Sequence, residues 1–118
     1  MKLYISHASN FDYTNELYSP LKAAFDGEHE LVLPHETNTA GINTKDIIPK
    51  CDVVVAEVSY PSTGQGIELG WASTANVRIV AVYKKGTKPS SAINFLTTDI
   101  VEYDSGDELG SKIKRLLS

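Results

Sequence analysis

The chain has 118 residues, a length that suits one domain built around one hydrophobic core. Hydrophobic side chains make up 42% of the chain, which is typical of globular domains and excludes disorder as the main state. Fifteen acidic and eleven basic side chains leave a net charge of −4, which argues against a broad surface for a nucleic acid polymer.

Cysteine usage and apolar patterning predict a cytoplasmic protein. Cys51 is the single cysteine, so it cannot form an internal disulfide. The apolar run at the start of the chain stops at Ser6, too early for a signal peptide, and no run approaches the ~20 residues that cross a bilayer. The three histidines lack metal-ligand spacing, so we predict no metal site. We also predict no cofactor, and the lack of a long apolar run predicts no membrane partner.

Apolar periodicity and turn residues predict alternating strands and helices. In chain order these are a strand over 3–5, a helix over 17–25 that kinks or restarts at Pro20, a strand over 30–33, a loop over 34–43, a brief helix capped at 43–44 and running to 48, a strand over 52–58, a helix over 67–75, a strand over 77–83, a turn or short helix over 92–96, a strand over 100–101 and a helix over 109–117. This order predicts a single α/β domain over 1–118. Its flavodoxin-like, three-layer fold would hold a five-stranded parallel sheet in the order 2-1-3-4-5, with helices on both faces.

In such a sheet, ligands bind beyond the carboxyl ends of the strands where the strand order reverses, here between strands 1 and 3. This rule selects the segments 6–10 and 59–68. The second segment contains Ser62, Gly64, Gly66 and Glu68 beside a predicted helix start. Glycines let backbone amides approach a ligand, and a helix start favours an anion such as phosphate. The alternative is a tight connection in which Glu68 only complements the helix dipole.

Residues 51–72 give a more specific signal. Their sequence, CDVVVAEVSYPSTGQGIELGWA, resembles the nucleoside 2-deoxyribosyltransferase superfamily, and most closely its hydrolytic branch, the 2′-deoxynucleoside 5′-monophosphate N-glycosidases. The resemblance implies a nucleoside 2-deoxyribosyltransferase-like domain and an enzyme that cleaves the bond between base and sugar. Its implied partner is a small nucleotide or nucleoside.

The resemblance also implies catalytic roles for three residues. Glu68 matches the family's nucleophile, and a carboxylate is suited to trapping an oxocarbenium-like sugar while the base departs. Tyr4 matches a tyrosine that orients this glutamate, although an ordinary strand aromatic is the alternative. Asp52 matches an aspartate of the sugar and base pocket, yet it lies at the start of its predicted strand, away from the expected ligand edge.

Four further residues are predicted to bind substrate, together with Gly64 and Gly66. Ser62 matches a serine that contacts the 5′-phosphate in the hydrolases, where the transferases have an aspartate that would repel it. Ser91 resembles a serine that reaches the phosphate from a neighbouring subunit, which implies a homodimer. Ser6 and His7 follow strand 1, where the family usually has glycines. His7 is suited to donating to a phosphate or protonating a leaving base, or it only caps the loop.

Three alternative functions remain open at the level of sequence. The first is a 2-deoxyribosyltransferase acting on free deoxynucleosides, which Ser62 disfavours. The second is a signalling or NAD-cleaving module, because the segment YISHAS at 4–9 is similar to the opening of TIR domains. The third is a nucleotide-binding protein without catalysis, which would be indifferent to the loss of Glu68.

Overall fold

The computed structural model describes residues 1–36 and 43–118 as alternating strands and helices. The strands are β1 (Lys2–His7), β2 (Glu30–Val32), β3 (Val53–Glu57), β4 (Arg78–Lys84) and β5 (Ile100–Tyr103). The α-helices within these residues are α1 (Ser19–Phe25), α2 (Thr44–Ile47), α3 (Thr63–Thr74) and α4 (Gly106–Leu117). A π-helical turn (Thr14–Tyr18) leads into α1, and 3₁₀ turns lie at Ile48–Lys50 and Ser91–Phe95.

The five strands form one sheet in the order β2-β1-β3-β4-β5, and every neighbouring pair is parallel. The predicted fold class and strand order are therefore confirmed. In the register of β1 and β3, Leu3 lies opposite Val53 and His7 lies opposite Glu57. The carboxyl ends of these two strands consequently lie side by side, at the point where the strand order reverses.

Alternation along the strands divides the core into two layers, as expected for a sheet covered on both faces. Leu3 and Ile5 of β1 pack with α1 and α4, whereas Tyr4 packs on the opposite face with the buried residues of α3. All five residues of β3 are buried, which fits the near-continuous apolar sequence of a central strand. This alternation decides which side chains of β1 face α3.

The break predicted at Pro20 is confirmed, because the π-helical turn ends at Tyr18 and α1 begins at Ser19. Pro20 lies in the first turn of α1, where its missing N–H leaves no helical hydrogen bond unmade. The brief helix predicted from an Asn43 cap is also confirmed, since the Asn43 side chain accepts from the backbone N–H of Lys45 at 3.0 Å. The loop predicted over 34–43 lies partly outside the described residues.

Two predicted boundaries at the ligand edge were wrong. Strand β1 continues to His7 instead of ending at residue 5, so Ser6 and His7 belong to the sheet. Helix α3 begins at Thr63, not at residue 67, because Ser62 adopts the extended conformation of an N-cap and the glycines continue helically after it. Gly64 and Gly66 therefore lie within the first turns of α3.

Neither a membrane-spanning helix nor a metal-ligand group occurs within residues 1–36 and 43–118. None of the helices there combines the length and apolar character that crossing a membrane requires. No three His, Cys, Asp or Glu side chains of this part of the chain converge as a metal-ligand group.

Candidate active site

The carboxylate of Glu68 is held by two hydroxyl groups from β1. Tyr4 donates its hydroxyl proton to Oε2 of Glu68 at 2.5 Å, and Ser6 donates to Oε1 at 3.0 Å. Both donors are fully buried, whereas Glu68 is partly exposed. Each carboxylate oxygen thus has a fixed donor behind it while the group still faces solvent.

This arrangement follows from the periodicities of the two elements. Tyr4 and Ser6 are two residues apart on a strand, so both side chains project to the face covered by α3. Glu68 lies in the second turn of α3, whose position is fixed by the Ser62 cap. Leu69, the next residue, is buried in the core beneath the helix and anchors that turn against the sheet.

Thr44, the first residue of α2, lies near Tyr4 and lines the cavity beside Glu68, a position that sequence analysis missed. Its side chain partly offsets the effect of burial on the pKa of the Tyr4 hydroxyl. Burial, together with the neighbouring Glu68 carboxylate, raises the pKa of Tyr4 far above its ordinary value. Tyr4 therefore stays protonated and acts as a donor to Glu68.

A cavity of about 320 Å³, here called the Glu68 cavity, opens at the carboxyl edge of β1 and β3. Its walls combine the Glu68 carboxylate with hydroxyl groups, two imidazole rings and the indole of α3. The lining residues are His7, Ser9, His35, Thr44, Ser62, Gly64, Gln65, Ile67, Glu68 and Trp71. Glu68 is the single acidic side chain among these described lining residues.

A second cavity, of about 400 Å³ and here called the Tyr60 cavity, lies on the other side of the α3 amino end. It is lined mainly by apolar side chains from the loop after β3, from α3 and from the turn Ser91–Phe95. Ser62 and Gln65 line both cavities. These two residues therefore form the boundary between them.

Gln65 connects α3 to the two central strands. Its side-chain Nε2 donates to the carbonyl oxygens of Ser6 at 3.1 Å and of Glu57 at 2.8 Å. The side chain is buried, with 5% exposure. Sequence analysis did not single out this residue, because the contacts join positions 59 and 8 residues apart and leave no local spacing signal.

His7 reaches the Glu68 cavity, but both of its ring nitrogens are occupied. Nδ1 lies 2.6 Å from the carbonyl oxygen of Ala8 and must carry the proton, so Nε2 accepts from the Tyr18 hydroxyl at 2.6 Å. Burial lowers the pKa of His7, and the nearby His35 ring adds to this effect. The predicted donation from His7 to a phosphate or to a leaving base therefore does not fit this hydrogen-bonding pattern.

The amino end of α3 presents Ser62 and two glycines to the cavities. The Ser62 hydroxyl accepts the backbone N–H of Gln65 at 3.4 Å, which leaves its own proton available to a ligand. A Cβ built at Gly64 or Gly66 would meet no atom within 4 Å, and neither residue has a positive φ. Neither backbone strain nor packing within the described chain demands these glycines, so the open space is available to a ligand.

Asp52 does not join the site. It is exposed at the amino end of β3, where its carboxylate accepts the backbone N–H of Lys2 at 2.7 Å and its own N–H donates to the Lys2 carbonyl. The predicted role of Asp52 in the sugar and base pocket is therefore wrong for this fold, because the Glu68 cavity lies at the opposite edge of the sheet.

Ser91 also lies outside the Glu68 cavity of its own chain. It is exposed in the turn Ser91–Phe95, whereas its neighbour Ser90 lines the Tyr60 cavity. Phe95, in the same turn, has 91% of its surface exposed. A contact between Ser91 and the site of a second copy stays a prediction.

The carboxylate of Glu57 is buried and closes the carboxyl end of β3 on the face toward α1 and α4. It accepts the backbone N–H and the hydroxyl of Ser59, at 2.6 and 3.0 Å, and also the hydroxyl of Tyr103. Its side chain is fully buried and does not line the Glu68 cavity. Glu57 therefore stabilises the sheet edge, as its position near the end of a buried strand suggests.

No protein-family model matches the chain. A curated relative from Syntrophotalea carbinolica, named "Putative 2'-deoxynucleoside 5'-phosphate N-hydrolase 1", is 40% identical over 74 residues. These residues are 60% of this chain and 52% of the relative. The chain thus spans about half the length of the curated relative that it matches.

Solved structures match over almost the whole chain. CMP N-glycosidase BcmB from Clostridium botulinum has a TM-score of 0.71 at 18% identity and covers 97% of this chain and 99% of its own. A conserved protein from Enterococcus faecalis V583 has a TM-score of 0.68 at 16% identity, with 98% of both chains covered. A flavodoxin-like domain from Synechococcus has a TM-score of 0.54 at 14% identity, covering 96% of this chain and 99% of its own.

At these identities the solved structures establish the fold: the protein is a flavodoxin-like α/β domain. The curated relative adds similarity in sequence. This similarity bears out the predicted resemblance to the nucleoside 2-deoxyribosyltransferase superfamily and its hydrolytic branch.

Proposed function

We propose that the protein is an N-glycosidase that cleaves the bond between base and sugar of a 2′-deoxynucleoside 5′-monophosphate, with Glu68 as the nucleophile. The observation behind this proposal is the carboxylate of Glu68, held by Tyr4 and Ser6 at the wall of a cavity at the strand switch point. The curated relative, named as a deoxynucleotide N-hydrolase, and the structural neighbour, named as a CMP N-glycosidase, support the reaction class.

The reaction proceeds in two displacements. A carboxylate oxygen of Glu68 forms a bond to C1′ while the C1′–N bond breaks, and the bond's electron pair leaves with the base, which takes a proton from solvent. Water then attacks C1′, releases the carboxylate and loses a proton, so the products are the free base and the sugar phosphate. Tyr4 and Ser6 hold the two oxygens of Glu68 in place, which favours attack from one orientation.

The phosphate binds at the amino end of α3. The Ser62 hydroxyl and the backbone at Gly64 face the Glu68 cavity, and the helix dipole favours negative charge there. Ser62 is neutral, whereas an aspartate would repel a dianion. This difference favours a nucleotide over a free nucleoside as the substrate.

The active form is a homodimer in which Ser91 of one protomer reaches the phosphate site of the other. The exposed phenyl ring of Phe95, in the same turn as Ser91, supports burial of this turn against a second copy. Ser91 does not line the Glu68 cavity of its own chain, which is compatible with a role toward a partner.

Release of free base, followed by chromatography, tests the reaction. The panel contains deoxynucleoside monophosphates, deoxynucleosides, CMP and NAD, each with and without a second free base. We expect release from the deoxynucleoside monophosphates, and Glu68→Ala should lower it by at least about a thousandfold. Glu102→Ala, at an exposed carboxylate of β5, is the matched control and should retain the rate.

The other outcomes separate the alternatives. Transfer of the sugar to the added base would favour a transferase, and release from NAD alone would favour an NAD-cleaving module. A folded protein that releases no base from any compound would contradict the proposed function.

A further inference from the structure

Gln65 has one half of its side-chain amide fixed and the other half free. Both hydrogens of Nε2 are given to backbone carbonyls, those of Ser6 on β1 and Glu57 on β3. Because a carbonyl oxygen only accepts, a flipped amide would place three acceptors together, so the orientation of the amide is determined. The side-chain oxygen Oε1 must therefore point away from these two strands.

Oε1 has no hydrogen-bond donor within the part of the chain that the structure describes. In that same part, every buried side-chain nitrogen or oxygen has a hydrogen-bond partner, so an oxygen without one is not sealed from solvent. Gln65 lines both the Glu68 cavity and the Tyr60 cavity, which gives Oε1 a route to a ligand. Only 5% of the surface of Gln65 is exposed, so its side chain has little freedom to move.

We propose that Gln65 is a specificity-determining residue whose Oε1 accepts a hydrogen bond from a donor group of the bound nucleotide. The inference rests on the proposed function, because it takes a nucleotide as the ligand. Cytosine and adenine nucleotides offer two kinds of neutral donor, the exocyclic amino group of the base and the 3′-hydroxyl of the sugar, whereas uracil, thymine and guanine also offer a ring N–H. Phosphate oxygens and base carbonyls are acceptors and are disfavoured beside Oε1. A fixed acceptor disfavours a ligand that lacks the matching donor, because binding of that ligand removes the hydrogen bond between the acceptor and water without replacing it.

The position of Gln65 suits such a role. It lies one helical turn before Glu68 on α3 and lines the same Glu68 cavity, so one bound nucleotide can contact both side chains. The same Nε2 contacts tie the residue to Ser6, which itself donates to Glu68. Recognition of the substrate and placement of the nucleophile thus share one rigid connection.

A binding cycle tests the hydrogen bond, performed in the Glu68→Ala background so that no substrate is consumed. The affinities of dCMP, of its analogue without the 4-amino group, and of 2′,3′-dideoxycytidine monophosphate are measured with and without Gln65→Met. A parallel pair, dAMP and its analogue without the 6-amino group, covers purines. We expect removal of one donor, on the base or on the sugar, to weaken binding about three- to tenfold with Gln65 present and not at all in Gln65→Met. The analogue whose loss of affinity depends on Gln65 shows which group of the nucleotide is the donor.

A second measurement needs no substitution at residue 65. Gln65 is the single glutamine of the chain, so glutamine labelled with ¹³C at its side-chain carbonyl carbon gives one NMR resonance. The Glu68→Ala substitution adds no second glutamine. We expect this resonance to move on addition of a nucleotide that has the donor and to stay in place with the analogue that lacks it.

The proposal is overturned if the losses from donor removal are the same with and without Gln65, or if no nucleotide moves the resonance. It is likewise overturned if no nucleotide binds. Binding that shows the expected cycle, in a protein that releases no base when Glu68 is present, would instead contradict the proposed function and leave the recognition role of Gln65 supported.

Discussion

The hydroxyl of Tyr4 is the closest donor to the proposed nucleophile. Tyr4→Phe removes this group and leaves the ring in the core, so the fold should be retained. A hydrogen bond to a charged group contributes about 1.5–3 kcal/mol, so kcat for base release should fall by about ten- to a hundredfold. Steady-state kinetics on a deoxynucleoside monophosphate measures this change.

Tyr103→Phe is the matched control for that substitution. Tyr103 is another buried tyrosine that donates to a carboxylate, but its partner is Glu57, on the face toward α1 and α4. We expect a loss of about 1–3 kcal/mol in the free energy of unfolding, measured with urea, and an unchanged kcat of the folded protein. An equal loss of kcat in both variants would mean that Tyr4 acts only through stability.

His7 makes the stability of the protein depend on pH. Burial keeps its pKa in the folded state below the value near 6.5 of the unfolded chain, so the unfolded state binds more protons as the pH falls below about 7. Stability contributed by neutral His7 is therefore present above pH 7 and is lost progressively at lower pH. The free energy of unfolding, measured with urea between pH 5 and 8, should show this decline. Its slope against pH should be smaller in His7→Gln. Identical slopes in the two proteins would contradict the assignment.

Some residues of the candidate site could be predicted from the sequence, and others could not. Glu68 and Tyr4 could be found because a dense motif and a strand position matched a known family, and the structure brings them within 2.5 Å. Thr44 could not, since its contact joins two elements 40 residues apart and a hydroxyl in a short helix has no distinctive pattern. Asp52 matches the motif of the family, but in this fold it lies at the amino end of β3, away from the edge at which a ligand binds.

At the scale of elements, the start of α3 determines the geometry of the site. Composition predicted a loop over 59–66, because Pro61 and two glycines are turn residues, yet the helix begins at Thr63. The Ser62 cap and the packing of Leu69 and Ala72 on the sheet outweigh the low helix propensity of glycine. The β-strands, in contrast, were predictable from their apolar runs apart from their ends.

Ser62→Asp separates the structural and functional roles of that cap. Aspartate is as good an N-cap as serine and favours the positive end of the helix dipole, so the melting temperature should stay the same or rise. The added negative charge should weaken the binding of a phosphate-bearing substrate, so KM for monophosphates should rise about tenfold or more. KM for free deoxynucleosides should stay unchanged. Ser62→Ala provides the comparison, since it should cost about 1 kcal/mol of stability without introducing repulsion.

An unchanged preference for monophosphates in Ser62→Asp would indicate that the phosphate binds away from α3. That result would leave Glu68 as the nucleophile but would remove the reason to prefer nucleotides over nucleosides.

At the scale of the whole molecule, the topology makes the ligand edge predictable before any side chain is considered. Strands β2 and β4 lie on opposite sides of the β1–β3 pair, so the connections after β1 and β3 diverge and leave a cavity between them. The strand order followed from alternation of elements, whereas assembly with a second copy depends on surfaces that local periodicity does not describe.

Mixing two defective variants tests the proposed homodimer. Glu68→Ala lacks the nucleophile, and Ser91→Ala lacks the hydroxyl that reaches the neighbouring site. In a mixed dimer, one site combines the intact Glu68 of one protomer with the intact Ser91 of the other. Random exchange of equal amounts makes half of the dimers mixed, with one complete site in two, so activity should recover to about a quarter of the wild-type rate. Activity equal to the mean of the two separate variants would show that Ser91 does not act across an interface, because a site completed within one chain gains nothing from mixing.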